Sequence, residues 1–251
     1  MIVIELHPYF ESKPWAGDKL KNIFNLSQSV GEAWILSAIK GKESKLDDGS
    51  LFSEFVKKNR AILGLNSNDE FPTLIKIIDA VRDLSIQLHP DDEYALKKGY
   101  KHGKFECRYV LEESKAKEVI DGIKDVPKED LKKAIFNKTL TKYLIYKKIK
   151  PGDLIKIVPG TVHAILGGSF FLEVQDPLDV TYRLYDYDRL PRRELHIQDS
   201  LNMIYKSKSP CDKDKYSIED VGDSYKVSIK NYDKFFIKVL KNSYKTFLIV
   251  R

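Results

Sequence analysis

Apolar and polar residues alternate strictly along Leu84-Ser85-Ile86-Gln87-Leu88-His89. A period of two predicts a strand with one face buried. Pro90-Asp91-Asp92 ends it, and Asp91 or Asp92 is placed to cap a short helix running through Lys98. Further strands are predicted over 31–37, 105–111, 144–149, 154–158, 163–166, 170–174 and 180–185, and short strand-like pieces over 225–229, 235–240 and 246–250. Residues 1–17 read as one short strand followed by loops. Apolar positions fall at helical spacing over 51–65, and 73–79 reads as helical or mixed. A helical insertion is predicted over 128–143. Pro151-Gly152, Pro159-Gly160 and Gly167-Gly168 separate the central strands. Many short strands joined by such turns predict an antiparallel sandwich or barrel.

The division expected is a main domain over 1–206, with its helical insertion near 112–143, and a short C-terminal segment over 207–251. Ser, Lys, Pro and Asp concentrate near 207–215, which reads as a linker. The chain has 251 residues, 42% hydrophobic and 32% charged, which excludes a disordered or collagenous chain and suffices for a core without disulfides. Forty-three Lys and Arg against 37 Asp and Glu leave a net charge of +6. The lysines are interleaved with acids rather than gathered in a stripe, so a charged surface is expected and nucleic acid is not. No apolar run approaches the ~20 residues that span a bilayer, and the N-terminus lacks the features of a signal peptide. Two cysteines make no disulfide framework, so a cytoplasmic location is expected, with no membrane partner.

On a strand, side chains two apart share a face. Ser85, Gln87 and His89 therefore point the same way, as do Lys104, Glu106 and Arg108. His163 heads an apolar strand after a Pro-Gly turn. Two imidazoles, a carboxylate and an amide oxygen suit a divalent transition metal and leave positions open for substrate. Taken singly, each has a plainer reading: a strand histidine held by hydrogen bonds, Arg183 in an ion pair on a strand face, Lys76 as a structural lysine. Spacing alone leaves both readings open. His7, His102 and His196 read as surface or locally hydrogen-bonded residues, and Tyr182, Tyr185 and Tyr187 as packing.

Ordered blocks go further than spacing. Ser85-Ile86-Gln87-Leu88-His89-Pro90-Asp91-Asp92, Gly103-Lys104-Phe105-Glu106-Cys107 and Val158-Pro159-Gly160-Thr161-Val162-His163-Ala164 resemble successive signatures of the type I mannose-6-phosphate isomerases. Trp15-Ala16-Gly17, Gly31-Glu32-Ala33-Trp34, the segment from Phe71 to Ala80, and Thr181 to Arg189 followed by Arg193-Glu194-Leu195-His196 resemble the same family, the last its short bacterial and archaeal branch. The likeness runs in order over residues 1–200.

The resemblance implies a mainly β cupin fold, a jelly-roll-like barrel with a helical insertion and a short C-terminal β segment. It implies one Zn2+ per chain, held by Gln87, His89, Glu106 and His163, other divalent transition metals being possible. Arg183 and Lys104 would be catalytic, and Ser85 and Lys76 would lie near the sugar phosphate. The activity implied converts mannose 6-phosphate to fructose 6-phosphate through an enediol, with either Lys104 or a water on the metal as the base. The partner would be a small phosphorylated sugar and the protein a monomer or homodimer. The alternatives are a cupin isomerase acting on another phosphosugar, an Fe(II) oxygenase, or a silent cupin that binds sugar phosphates.

Three features depart from the family. Arg108 stands where relatives often carry an aromatic residue, and is expected to face the cavity or sit at its rim. Asp176 follows Gln175 where a second Gln is common. Relatives usually finish with a second barrel-like domain, whereas about 40 residues follow the linker here, fewer than a typical sheet requires. That tail is expected to complete the first domain, cover part of it, or form a reduced second sheet.

Overall fold

The computed structural model describes residues 1–206 and 211–251. The fold is mainly β with some helix and is of the cupin type, built from open antiparallel sheets. Two compact units draw on segments far apart in sequence. One contains Met1–Asp79, Phe171–Pro177 and Asp212–Arg251, and the other Ala80–Phe170 and Leu178–Cys211. The expected linker falls partly at 207–210, outside the described residues.

In the first unit, the C-terminal strands Tyr216–Val221, Ser224–Ile229, Tyr232–Leu240 and Thr246–Val250 form an antiparallel meander. The N-terminal strand Ile2–Leu6 joins its far edge by pairing with Thr246–Val250, making five strands. The tail thus forms a sheet of its own with a strand borrowed from the opposite end of the chain. Strands Tyr9–Glu11, Glu32–Leu36, Leu74–Ala80 and Ser169–Gln175 lie side by side in that order. The helical or mixed expectation for 73–79 is corrected here. All seven residues of Leu74–Ala80 are buried, and a strand covered on both faces reads as a continuous apolar run without alternation. The helix expected over 51–65 is two short ones, Phe52–Lys58 and Arg60–Leu63, the second stopped by Gly64 at φ 69°.

The second unit carries the predicted site residues other than Lys76. Its five-stranded sheet runs in the order Tyr182–Tyr185, Ile86–Leu88, His163–Ala164, Glu118–Ile123, Leu144–Lys148. A further pair, Glu106–Val110 with Leu154–Ile157, is antiparallel. The predicted insertion holds strand Glu118–Ile123 as well as helix Lys128–Phe136 and the 3-10 turn Leu140–Tyr143. A helix that the periodicity reading did not include, Ile197–Lys206, packs against Tyr182–Tyr185.

This sheet has two unlike faces. Ile86, Leu88, Ile120, Ala164, Tyr182 and Leu184 join Leu131, Ile135, Leu201 and Met203 of the two helices in one buried apolar cluster. Burying side chains of this size contributes about 1.5–3 kcal/mol each, which fixes the register of every strand. The alternate residues must then point the other way. Register places Arg183 opposite Gln87, Gln87 opposite His163, and His163 opposite Asp121. The row of polar side chains follows from the packing of the apolar ones.

Asp91 caps helix Asp92–Lys97 as expected, accepting from the Tyr94 amide at 2.8 Å. The return of the chain toward Glu106 passes close to this cap. Lys104 N donates to Pro90 O at 2.9 Å. A Cβ on Gly103 would lie 2.6 Å from the Asp91 carbonyl carbon and 2.7 Å from Pro90 O. Backbone cannot yield as a side chain can, so Gly103→Ala is expected to destabilise the protein by about 1–3 kcal/mol in denaturant unfolding. The segment that carries Lys104 into strand Glu106–Val110 would shift with it, so metal affinity should fall in the same variant.

Candidate metal centre

Glu106 is the anchor of the polar face. Its carboxylate is 1% exposed, and four cationic or basic groups surround it. Arg108 Nη2 donates to Oε2 at 2.6 Å. Lys104 Nζ lies 3.0 Å from Oε1. His89 Nε2 lies 3.0 Å from Oε1, and His163 Nε2 3.8 Å from Oε2. The parity expected from the sequence, Lys104, Glu106 and Arg108 on one face, is the arrangement found. Arg108 sits in the cavity rather than at its rim.

Both imidazoles are buried and fixed from behind. His89 Nδ1 is 3.0 Å from Val180 O, and His163 Nδ1 is 2.9 Å from Thr161 O. A carbonyl can only accept, so each Nδ1 carries the hydrogen in a neutral ring, and each Nε2 presents a lone pair to the cavity. Burial pushes both histidines below their usual range, with Lys104 next in effect on His89 and Arg108 on His163. Burial acts to raise the Glu106 carboxyl, but the charges of Arg108 and Lys104 hold it well below the carboxylate range. The neutral His89 lone pair therefore faces a carboxylate oxygen, and His89 Nε2 has no hydrogen-bond partner.

That orphaned, buried atom is the clearest sign of a cation. A separation of 3.0 Å suits two donors sharing one ion at bond lengths of about 2.0–2.2 Å. One donor atom from each of His89, Glu106 and His163 lies within 4.8 Å of the others, so these three form a group that can hold a metal ion. The backbone carbonyls behind the rings are the orienting partners that metal-bound imidazoles use.

Gln87 lies beside them on the neighbouring strand, its Nε2 3.5 Å from His163 Nε2 and its Oε1 accepting from Ser85 Oγ at 3.0 Å. A hydroxyl both donates and accepts. Ser85 can therefore hold the amide turned over, which presents the Gln87 oxygen to His163 and the cavity. Arg183, across the register from Gln87, has a buried Nε with no hydrogen-bond partner. Burial first, and then Arg193, lower its pKa, but a guanidinium stays charged in proteins. Its backbone is clamped on both sides by His196: Arg183 N donates to Nδ1 at 3.2 Å, and His196 N to Arg183 O at 2.8 Å.

Lys76 belongs to the first unit. There its Nζ sits 3.5 Å from Glu173 and 3.7 Å from Glu32, and 4.8 Å over the Trp34 ring. It is a buried cation with two carboxylate neighbours.

The comparisons with known proteins follow this chemistry. Residues 5–120 match the family model of the phosphomannose isomerase type I catalytic domain. The probable mannose-6-phosphate isomerase GmuF of Bacillus subtilis is 37% identical over 211 residues, covering 79% of this chain and 67% of that one. The chain belongs to the type I phosphomannose isomerases. A crystal structure of the mannose 6-phosphate isomerase from Bacillus subtilis superposes with a TM-score of 0.79 at 31% identity, covering 96% of this chain and 81% of that chain. A mannose 6-phosphate isomerase crystallised with zinc and yttrium shares the fold at a TM-score of 0.63 and 15% identity, covering 95% of this chain and 83% of that chain. The chain spans about two thirds of the length of the curated relatives it matches.

Sequence reasoning missed the Val180 and Thr161 carbonyls and the His196 clamp. A backbone carbonyl has no residue-type signal. His196 was visible, but its partner is the Arg183 backbone on a neighbouring strand.

The pH dependence follows from the directions above. Each histidine is depressed below 6.5, its value when unperturbed, so the unfolded chain takes up protons first as pH falls. The stability from neutral rings is complete above that value and is lost as pH falls toward the folded-state pKa. Glu106, depressed from 4.5, loses its contribution later, at more acid pH. Thermal unfolding in chelator should show the midpoint falling from about pH 7 to pH 5. Added zinc should hold it up until protons displace the metal.

Proposed function

We propose that this chain interconverts mannose 6-phosphate and fructose 6-phosphate in the cytoplasm, with one Zn2+ held by Gln87, His89, Glu106 and His163. The observation that carries the reading is the convergence of His89, Glu106 and His163 around one buried point, with Gln87 and Arg183 on the adjoining strands. Family membership makes this chemistry the one to expect. Cys107 and Cys211 are thiols and not joined in a disulfide, which fits a reducing compartment.

Isomerisation moves a proton between C2 and C1 through an enediol, and charge develops on O1 and O2. A bound zinc ion supplies Lewis acidity at such oxygens. Lys104 is the group to carry the proton. Its Nζ rests 3.0 Å from Glu106 Oε1, buried inside the cavity. A Lys amine reaches a substrate atom by leaving one such contact. Glu106 is committed to its surrounding cations and is a poor free base. Arg183 offers a fixed positive charge with an unsatisfied donor, suited to an oxyanion. Ser85 steadies Gln87 and is a candidate for the sugar phosphate. Lys76 is the second candidate for that role, and the support for it is its place in the family motif.

The test is a coupled isomerase assay on metal-loaded protein with parallel zinc analysis. His163→Ala should lose metal and activity together. Lys104→Met should keep zinc and lose about 10²–10⁴-fold in kcat. Arg183→Met should also keep zinc and lose about 10²–10³-fold in kcat. Wild-type protein holding stoichiometric zinc yet leaving both hexose phosphates unchanged would overturn the reading.

A further inference from the structure

Arg108 is a residue the isomerase chemistry does not use. It sits two positions after Glu106 on strand Glu106–Val110, so both side chains enter the cavity. Arg108 is 4% exposed. Burying a guanidinium is expensive unless a partner and good geometry compensate. Its bond to Glu106 Oε2, at 2.6 Å, is short even for a charge-assisted one. The other carboxylate oxygen has different neighbours: Oε1 lies 3.0 Å from His89 Nε2 and 3.0 Å from Lys104 Nζ. The two oxygens of Glu106 are therefore not equivalent. Oε2 is held by Arg108, with His163 Nε2 3.8 Å away, and Oε1 lies against Lys104 and the imidazole whose Nε2 lacks a partner.

We infer that Arg108 is a positioning residue that confines Glu106 to binding metal through Oε1 alone, and whose charge weakens the hold of the site on a divalent ion. The inference rests on the metal site proposed above. A carboxylate with one oxygen engaged elsewhere fills one coordination position rather than two. The position left over is open to a sugar oxygen. A guanidinium does not lose its proton at accessible pH, so its repulsion of a cation is constant.

The experiment measures metal binding directly. Zn2+ affinity is read by competition with a chromophoric chelator, and coordination by the visible absorption of Co2+-substituted protein. Arg108→Trp and Arg108→Gln remove the charge and free Oε2. In both, Zn2+ should bind at least about tenfold more tightly. The Co2+ absorption should weaken as Glu106 takes a second bond and coordination number rises. Arg108→Lys keeps a charge and a donor and should remain within about threefold of wild type, with its spectrum little changed. Arg108→Trp fills the volume with an uncharged side chain of comparable bulk, so it serves if Arg108→Gln fails to fold. Affinity and spectrum unchanged in Arg108→Trp would overturn the inference and leave the metal site standing. Wild-type protein that binds neither ion would overturn the metal site itself.

Discussion

A carboxylate buried as deeply as Glu106 is unstable unless cations surround it. That one constraint organises the second unit. Arg108 comes from its own strand and Lys104 from the segment just before it, each two positions away, while His89 follows strand Ile86–Leu88 and His163 heads the strand paired with it. Removing either cation would leave the buried carboxylate with only one of its two charged partners. The histidines, neutral by burial and by their Nδ1–H bonds, add lone pairs rather than charge. The arrangement leaves one contact unsatisfied, that between the His89 Nε2 lone pair and Glu106 Oε1. A divalent ion at that point satisfies both atoms at once.

The precision of that point comes from the other side of the sheet. Ile86, Leu88, Ala164, Tyr182 and Leu184 are locked into an apolar cluster with helices Lys128–Phe136 and Ile197–Lys206. A slip of one residue in any strand would turn its apolar side chains out and its ligands in. The free energy that holds Gln87, His163 and Arg183 in a row is thus hydrophobic, although none of the three is apolar. Rigid strands also place donors more reproducibly than loops do.

The first unit repeats the principle without the open valence. Lys76 is buried between Glu32 and Glu173, and Trp34 donates to Glu32 at 2.8 Å. Asp79 is buried and accepts from the amides of Lys19 and Leu20. Burial raises its pKa, against the pull of those two amides. These groups are closed ion-pair and hydrogen-bond networks, and the tail from Tyr216 onward adds a sheet completed by the N-terminal strand.

Local pattern alone revealed the period-two strand through Gln87, the same-face triplet of Lys104, Glu106 and Arg108, and the Asp91 cap, because each depends only on backbone geometry over a few residues. The ordered motifs supplied the family. Pattern failed at Leu74–Ala80, where burial on both faces removes the alternation that marks a strand. It left the position of Arg108 open, since parity gives a direction but not a depth. The meeting of His89, Glu106 and His163 belongs to tertiary structure, because strands 74 residues apart become neighbours only through sheet pairing. So does the choice of which His89 nitrogen faces Glu106, because the Val180 carbonyl from a distant turn decides it, whereas the His163 ring is set locally by Thr161 O.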